Sequence, residues 1–213
     1  MPCYLRGMTK TPRSWTQLLD CELARKAREQ MERNPALTYH NWDHVTRCVW
    51  HAEHTFEFPF DLALGKAILT HDVIYDGKPQ AEWRSAEWLF ENDGETKTNI
   101  EAARHIMKTA GHAVTDDNRM VFCDLGDFLY PQMTHDNFYK VMMESVNLYK
   151  VPAEQITATA LEFLEKMHRN YADNILATLN PPERIAFLGI RTGIERVIMF
   201  YEEAQKGAKR AGK

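Results

Sequence analysis

The 213-residue chain has no apolar run approaching the roughly 18 residues that a membrane-crossing helix needs, so no transmembrane segment is expected. Its four cysteines, Cys3, Cys21, Cys48 and Cys123, contain no Cys-x-x-Cys pair and follow no secretory apolar stretch, so they read as reduced thiols of a cytoplasmic protein. Positive charge is not in excess. With 26 Lys+Arg against 30 Asp+Glu, the formal net charge is −4, which leaves no global field to hold nucleic acid or an anionic membrane. Glycine-rich phosphate loops, internal repeats and segments with strand alternation are also missing.

What is present is helical. A hydrophobic content of 44% with 26% charged residues suits one domain with a substantial core. Residues 1–13, with Pro2, Gly7 and Pro12, read as a loose arm, residues 14–206 as a single all-α domain and residues 207–213 as a short basic tail. Ser14-x-x-Gln17 is a capping-box signature, followed by Trp15, Leu18, Leu19, Leu23, Ala27 and Met31 at helical spacing, and this helix is expected to end near Asn34-Pro35. A second helix is expected between Leu37 and Phe58. Phe60 to Asp72 is rich in Leu, Ala and Ile on nearly all sides, the pattern of a helix buried all round. Tyr75 to Pro79 is turn chemistry, and Gln80 to Asn92 is helical with Gly94 as its stop. Thr98-x-x-Glu101 is expected to cap a helix with Ile100, Ala103, Ile106 and Met107 on its apolar face, and Thr115-Asp116-Asp117 to open the helix bearing Asp124. Further helices are expected over Thr134–Tyr149, with Phe138, Val141, Met142, Val146 and Tyr149 buried, and after Val151-Pro152. A last one starts at Asn180-Pro181-Pro182 and runs to about Gln205.

Against this helical background one set of residues is not explained by packing. Tyr39-His40-Asn41-Trp42-Asp43-His44 is answered 27 residues after His44 by the doublet His71-Asp72, within Thr70-His71-Asp72-Val73-Ile74-Tyr75-Asp76, and later by Asp124. His40 and His44 are four residues apart, so a helix would carry them on one face about one turn apart, one positioned to bind a metal and the other to face its ligand. The doublet lies where the buried helix ends. Two imidazoles and two carboxylates would neutralise a divalent ion and leave coordination positions for water and substrate, the pattern of a catalytic site.

At these residues the sequence resembles the HD-domain metal-dependent phosphohydrolase superfamily, an all-helical family whose signature is a His, a His-Asp doublet and a distant Asp around one or two divalent ions. The Tyr-His-Asn-x-x-His wording is similar to the opening motif of cyclic-nucleotide phosphodiesterases and of a group of small HD phosphohydrolases in which His-Asp-x-x-Tyr-Asp recurs. The likeness spans roughly residues 37–130. It implies an HD-like helical bundle, with His44, His71, Asp72 and Asp124 as metal ligands, Asp72 also part of the catalytic machinery, His40 as the acid that protonates the leaving oxygen, and Asn41 on the substrate side. In the family the last ligand usually sits in an Ala-Asp-x-Leu or Asp-Ala-Asp-Leu setting, from which Phe122-Cys123-Asp124-Leu125-Gly126-Asp127 departs. Asp124-Leu125 is the better match, and Asp127, three residues on, remains the rival.

Other residues are weaker candidates. Asp76, four after Asp72, is placed to accept a hydrogen bond from a ligand histidine or a coordinated water, although a turn residue beside Gly77 needs no such role. Arg84 resembles a charged position that follows the doublet in the small HD phosphohydrolases, where a guanidinium would match phosphate oxygens. His112 is expected to face substrate, and Lys108 to neutralise a phosphate or simply to be solvated. Cys48 and Cys123 read as small buried hydrophobes, with a place near the metal as the other reading. The expectation is a hydrolase acting on a nucleotide or related small phosphorylated metabolite, with at least one Mn, Fe, Co, Mg or Zn ion. No nucleic-acid or membrane partner is expected, and a homo-oligomer is left open. Two rivals are an oxygenase of the same fold, which would need both His105 and His112 as ligands of two irons, and an inactive binding module.

Overall fold

Four of the helices begin where a short polar side chain satisfies the first free N–H groups. Ser14 accepts from the Gln17 N–H, Asn41 from those of Asp43 and His44, Asp61 from those of Ala63 and Leu64, and Thr96 from that of Asn99. The computed structural model describes residues 11–112, 115–129, 134–170, 176–177 and 179–211, and every regular element among them is helical. In order these are α1 (Trp15–Leu19), α2 (Glu22–Met31), α3 (Trp42–Trp50) continued by a π-helical turn (His51–Thr55), α4 (Leu62–Thr70), α5 (Ala81–Asp93), α6 (Lys97–Thr109), α7 (Arg119–Leu129), α8 (Thr134–Tyr149), α9 (Ala153–Asn170) and α10 (Pro181–Ala211). The fold is an all-α bundle, as the periodicity predicts.

Two helices are central. α4 packs against α2, α3, α5, α6 and α7, and α7 against α3, α4, α6, α8 and α10. On α4 every residue from Ala63 to Thr70 except Lys66 is buried, which bears out the expectation of a helix covered on all sides. On α7 the run Met120 to Cys123 is fully buried. Close approach is allowed by glycine at two points: a Cβ on Gly65 would lie 2.9 Å from Leu18 Cδ2, and one on Gly126 would lie 2.7 Å from Phe56 Cζ. A methyl group at either place would push a buried neighbour out of position.

Several boundaries differ from the sequence expectation, each for a local reason. The first helix is broken in two, because the chain turns at Asp20 and Cys21 caps α2 through its sulfur. α3 starts at Trp42 with Asn41 as its cap, so His40 lies outside the helix. α6 is capped by Thr96, not Thr98, and its buried side is Asn99, Ala102, His105, Ile106 and Thr109, whereas Ile100 and Met107 are exposed. Tyr149 is exposed too, and α10 continues through the expected tail to Ala211. Asn180 and Glu183 cap α10 reciprocally, the Asn180 side chain accepting from the Glu183 N–H and the Glu183 carboxylate from the Asn180 N–H. Residues 1–10 of the expected arm lie outside the described residues.

Candidate metal centre

The donors converge where α3, the end of α4 and α7 meet. His44 sits in the first turn of α3, one residue past Asp43 and three past the Asn41 cap, so the cap sets the direction from which its ring enters the core. His71 closes α4 and Asp72 follows it. Asp124 lies midway along α7. One ligand atom each from His44, His71 and Asp72 lie within 4.8 Å of one another. Asp124 Oδ1 is 3.3 Å from His44 Nε2 and 3.8 Å from His71 Nε2.

The tautomers follow from the partners. His44 Nδ1 is 2.7 Å from Asp127 Oδ2, and His71 Nδ1 is 3.0 Å from the Ile68 carbonyl oxygen. Both oxygens only accept, so each Nδ1 carries the hydrogen and each Nε2 presents a lone pair. The two Nε2 atoms are 3.2 Å apart, with Asp72 Oδ2 at 3.0 Å from His71 Nε2 and 3.6 Å from His44 Nε2. Asp72 Oδ2 is buried without a hydrogen-bond donor. The lone pairs of His44, His71 and Asp72, with Asp124 beside both rings, repel unless positive charge sits among them. Adjacent donors bonded at about 2.1 Å to one ion stand about 3.0–3.4 Å apart, close to the separations here. The donor set therefore fits a divalent cation.

The electrostatics describe the same need. Burial alone would lower the His44 pKa, but hydrogen bonds to the carboxylates of Asp124 and Asp127 raise it well above the ordinary value. Burial likewise opposes a charge on His71, and Asp72 raises its pKa. Burial would raise the Asp124 pKa, yet His112, His44 and His71 hold it well below the carboxylate range. Such a field attracts positive charge, whether as protons on the rings or as a cation among them.

Asp124 and Asp127 divide their work by position on α7. Asp124 faces the donor cluster. Asp127 turns away from it and is fully buried, receiving His44 Nδ1 together with Arg47 Nε at 2.5 Å and Arg47 Nη2 at 3.1 Å. It holds the His44 ring, and Arg47 in turn holds it. Arg47 carried no signal in the sequence beyond lying three residues after His44.

A cavity of about 240 Å³ opens over the cluster, with Asp72 and Asp124 at its floor and His40, Tyr75 and His112 on its walls. The His40 ring stacks on Tyr75 with centroids 3.8 Å apart. Its Nδ1 is bonded to Glu144 of α8, whose other oxygen accepts from the Tyr39 and His40 N–H groups at 2.8 and 3.2 Å. Glu144 is completely buried and lies 104 residues from His40, so nothing local in the sequence marked it. His112 Nε2 is 2.9 Å from Asp124 Oδ2. Gly111 and His112 both adopt left-handed backbone, φ 83° and 51°, and these two residues turn the chain after α6 so that His112 reaches the cavity.

Other candidates are elsewhere. Asn41 spends its side chain on the α3 cap and does not line the cavity. Asp76 and Arg84 are paired with each other, through bonds of 2.9 and 2.7 Å, and neither lines the cavity. Lys108 bonds Asp116 and the Asp117 carbonyl. His105 faces Asp117 at 3.8 Å, in a separate groove between α5 and α6, so the structure does not join it to His112. Cys48 Sγ is 3.6 Å from both His44 nitrogens, and burial pushes its thiol up to about 12, leaving it a neutral packing group. Among the described residues no helix is long and apolar enough to cross a membrane. Comparison with protein families, curated proteins and solved structures gave no match.

Proposed function

We propose that this chain is a metal-dependent phosphohydrolase of the HD kind, holding a divalent cation on His44, His71, Asp72 and Asp124. The observation that carries the reading is the convergence of two buried Nε2 lone pairs on two carboxylates, Asp72 and Asp124, that line a cavity holding a further histidine, His40. The chemistry a bound divalent cation supplies is polarisation of a phosphoryl oxygen and a water acidified towards neutrality. The chain's own residues do the rest. Glu144 takes the Nδ1 hydrogen of His40 and Tyr75 stacks on the ring, so Nε2 is the atom left to deliver a proton to the departing oxygen. Asp127, braced by Arg47, keeps His44 oriented. The resemblance of the motif residues to the superfamily supports the same assignment.

The test separates His40 from His44. His44→Ala should lose the metal. His40→Ala should keep it and lose rate by roughly 10²- to 10⁴-fold on an ester with an alkoxide leaving group, while a p-nitrophenyl ester, whose leaving group needs no proton, suffers much less. Metal lost with His40, or equal losses on both esters, would refute the acid role.

A further inference from the structure

The cavity over the donor cluster has two kinds of lining. Its ionisable groups among the described lining residues, tyrosine aside, are His40, Asp72, Glu82, His112 and Asp124. No lysine or arginine is among them. Three cations that the sequence placed near the motif are committed elsewhere, Arg47 to Asp127, Arg84 to Asp76 and Lys108 to Asp116. The apolar lining, Leu125 of α7 apart, comes from two helices. Phe138, Val141 and Met142 lie at one-turn spacing on α8, and Ile156, Ala160 and Phe163 at one-turn spacing on α9. Ser145 is the one polar side chain that α8 adds to this wall.

Charge counting then limits the ligand. A divalent ion offsets Asp72 and Asp124, and Glu82 leaves the wall negative. One phosphoryl group can be met by the ion, with His40 and His112 beside it. A second or third phosphate would enter a low-dielectric space with no cation to meet it and a carboxylate in view, an arrangement of like charges that interfaces use to reject ligands. The apolar wall would meanwhile reward a hydrophobic or aromatic body. Resting on the phosphohydrolase reading, we infer that the substrate is an ester of a single phosphoryl group on a compact apolar or aromatic body, and that di- and triphosphates are excluded.

The experiment compares phenyl phosphate and adenosine monophosphate with adenosine triphosphate and ethyl phosphate, in stoichiometric divalent cation so that no extra ion enters with the triphosphate. Hydrolysis and thermal stabilisation by each compound are both read. The monophosphates should be favoured over the triphosphate by roughly 10²-fold in kcat/KM and should stabilise the protein where the triphosphate does not. Phe163 also packs edge-on against His112, with ring centroids 5.7 Å apart, so Phe163→Ala is read as a ratio: KM for phenyl phosphate should rise roughly 10-fold more than KM for ethyl phosphate. Ser145→Lys, at a partly exposed position, should narrow the gap between mono- and triphosphate. A triphosphate handled as well as the monophosphates, or ethyl and phenyl phosphate losing equally in Phe163→Ala, overturns the inference and leaves the phosphohydrolase reading standing. A metal-loaded protein that hydrolyses no phosphate ester overturns both.

Discussion

Replacing Asp127 by Asn tests whether this carboxylate, three positions from the proposed ligand Asp124, works only through the ring of the proposed ligand His44. The side chain keeps its shape and still offers His44 an acceptor, but loses the charge that polarises the ring and the fork that holds Arg47. Partners of this kind are worth about 10- to 100-fold in metal affinity. At a metal concentration 100 times the wild-type Kd, binding stabilises the folded chain by about 2.7 kcal/mol, and a 30-fold weaker Kd leaves about 0.9 kcal/mol. The loss of about 2 kcal/mol corresponds to a fall of about 4–8 °C in the metal-induced rise of Tm for a chain of this size. The variant also weakens the Arg47 pair without metal, so the quantity to compare is the difference between Tm with and without metal, which cancels that cost. Binding stoichiometry, from dialysis and metal analysis, should stay unchanged. Asp124→Asn should instead abolish the metal-induced rise, because a donor is lost outright. An unchanged rise in Asp127→Asn, or a rise abolished there and preserved in Asp124→Asn, would refute the division of roles.

Gly126→Ala should cost about 1–3 kcal/mol, read as a lower urea midpoint, because its methyl group meets the buried Phe56 ring at 2.7 Å; an unaltered midpoint would show that the π-helical turn yields freely. Burial lowers the His51 pKa from 6.5 to about 4, so the unfolded chain takes up the proton first. The stability this withholds is absent above pH 6.5, grows as pH falls through it, and levels off near 4 at about 3 kcal/mol, using about 1.4 kcal/mol per pH unit. His51→Gln should flatten the fall in urea midpoint between those limits, and parallel profiles would disprove the assignment. Arg84→Met breaks a partly exposed pair, so it should cost about 0.2–1 kcal/mol of stability and leave kcat/KM essentially unchanged. A large kinetic loss would mean that Arg84 meets substrate after all.

Helices, their rough bounds and the burial of α4 were legible because periodicity and capping act within a few residues of the chain. The cluster was legible for a different reason: a His, a His-Asp doublet and a distant Asp form a pattern that helix packing does not need, and the structure brings His44, His71 and Asp72 together. Which carboxylate of α7 meets the cluster was not. α7 is buried on the sides that carry both Asp124 and Asp127, and only the placement of α3 against it sends one towards the two Nε2 atoms and the other towards Nδ1 and Arg47. Tertiary packing alone also brought Glu144 to His40, kept His105 away from the cluster and spent Asp76 on Arg84. Sequence sets which chemical groups a helix carries, but a helix buried on every side has no single face to announce, and the partner of each group is chosen by the neighbour packed against it.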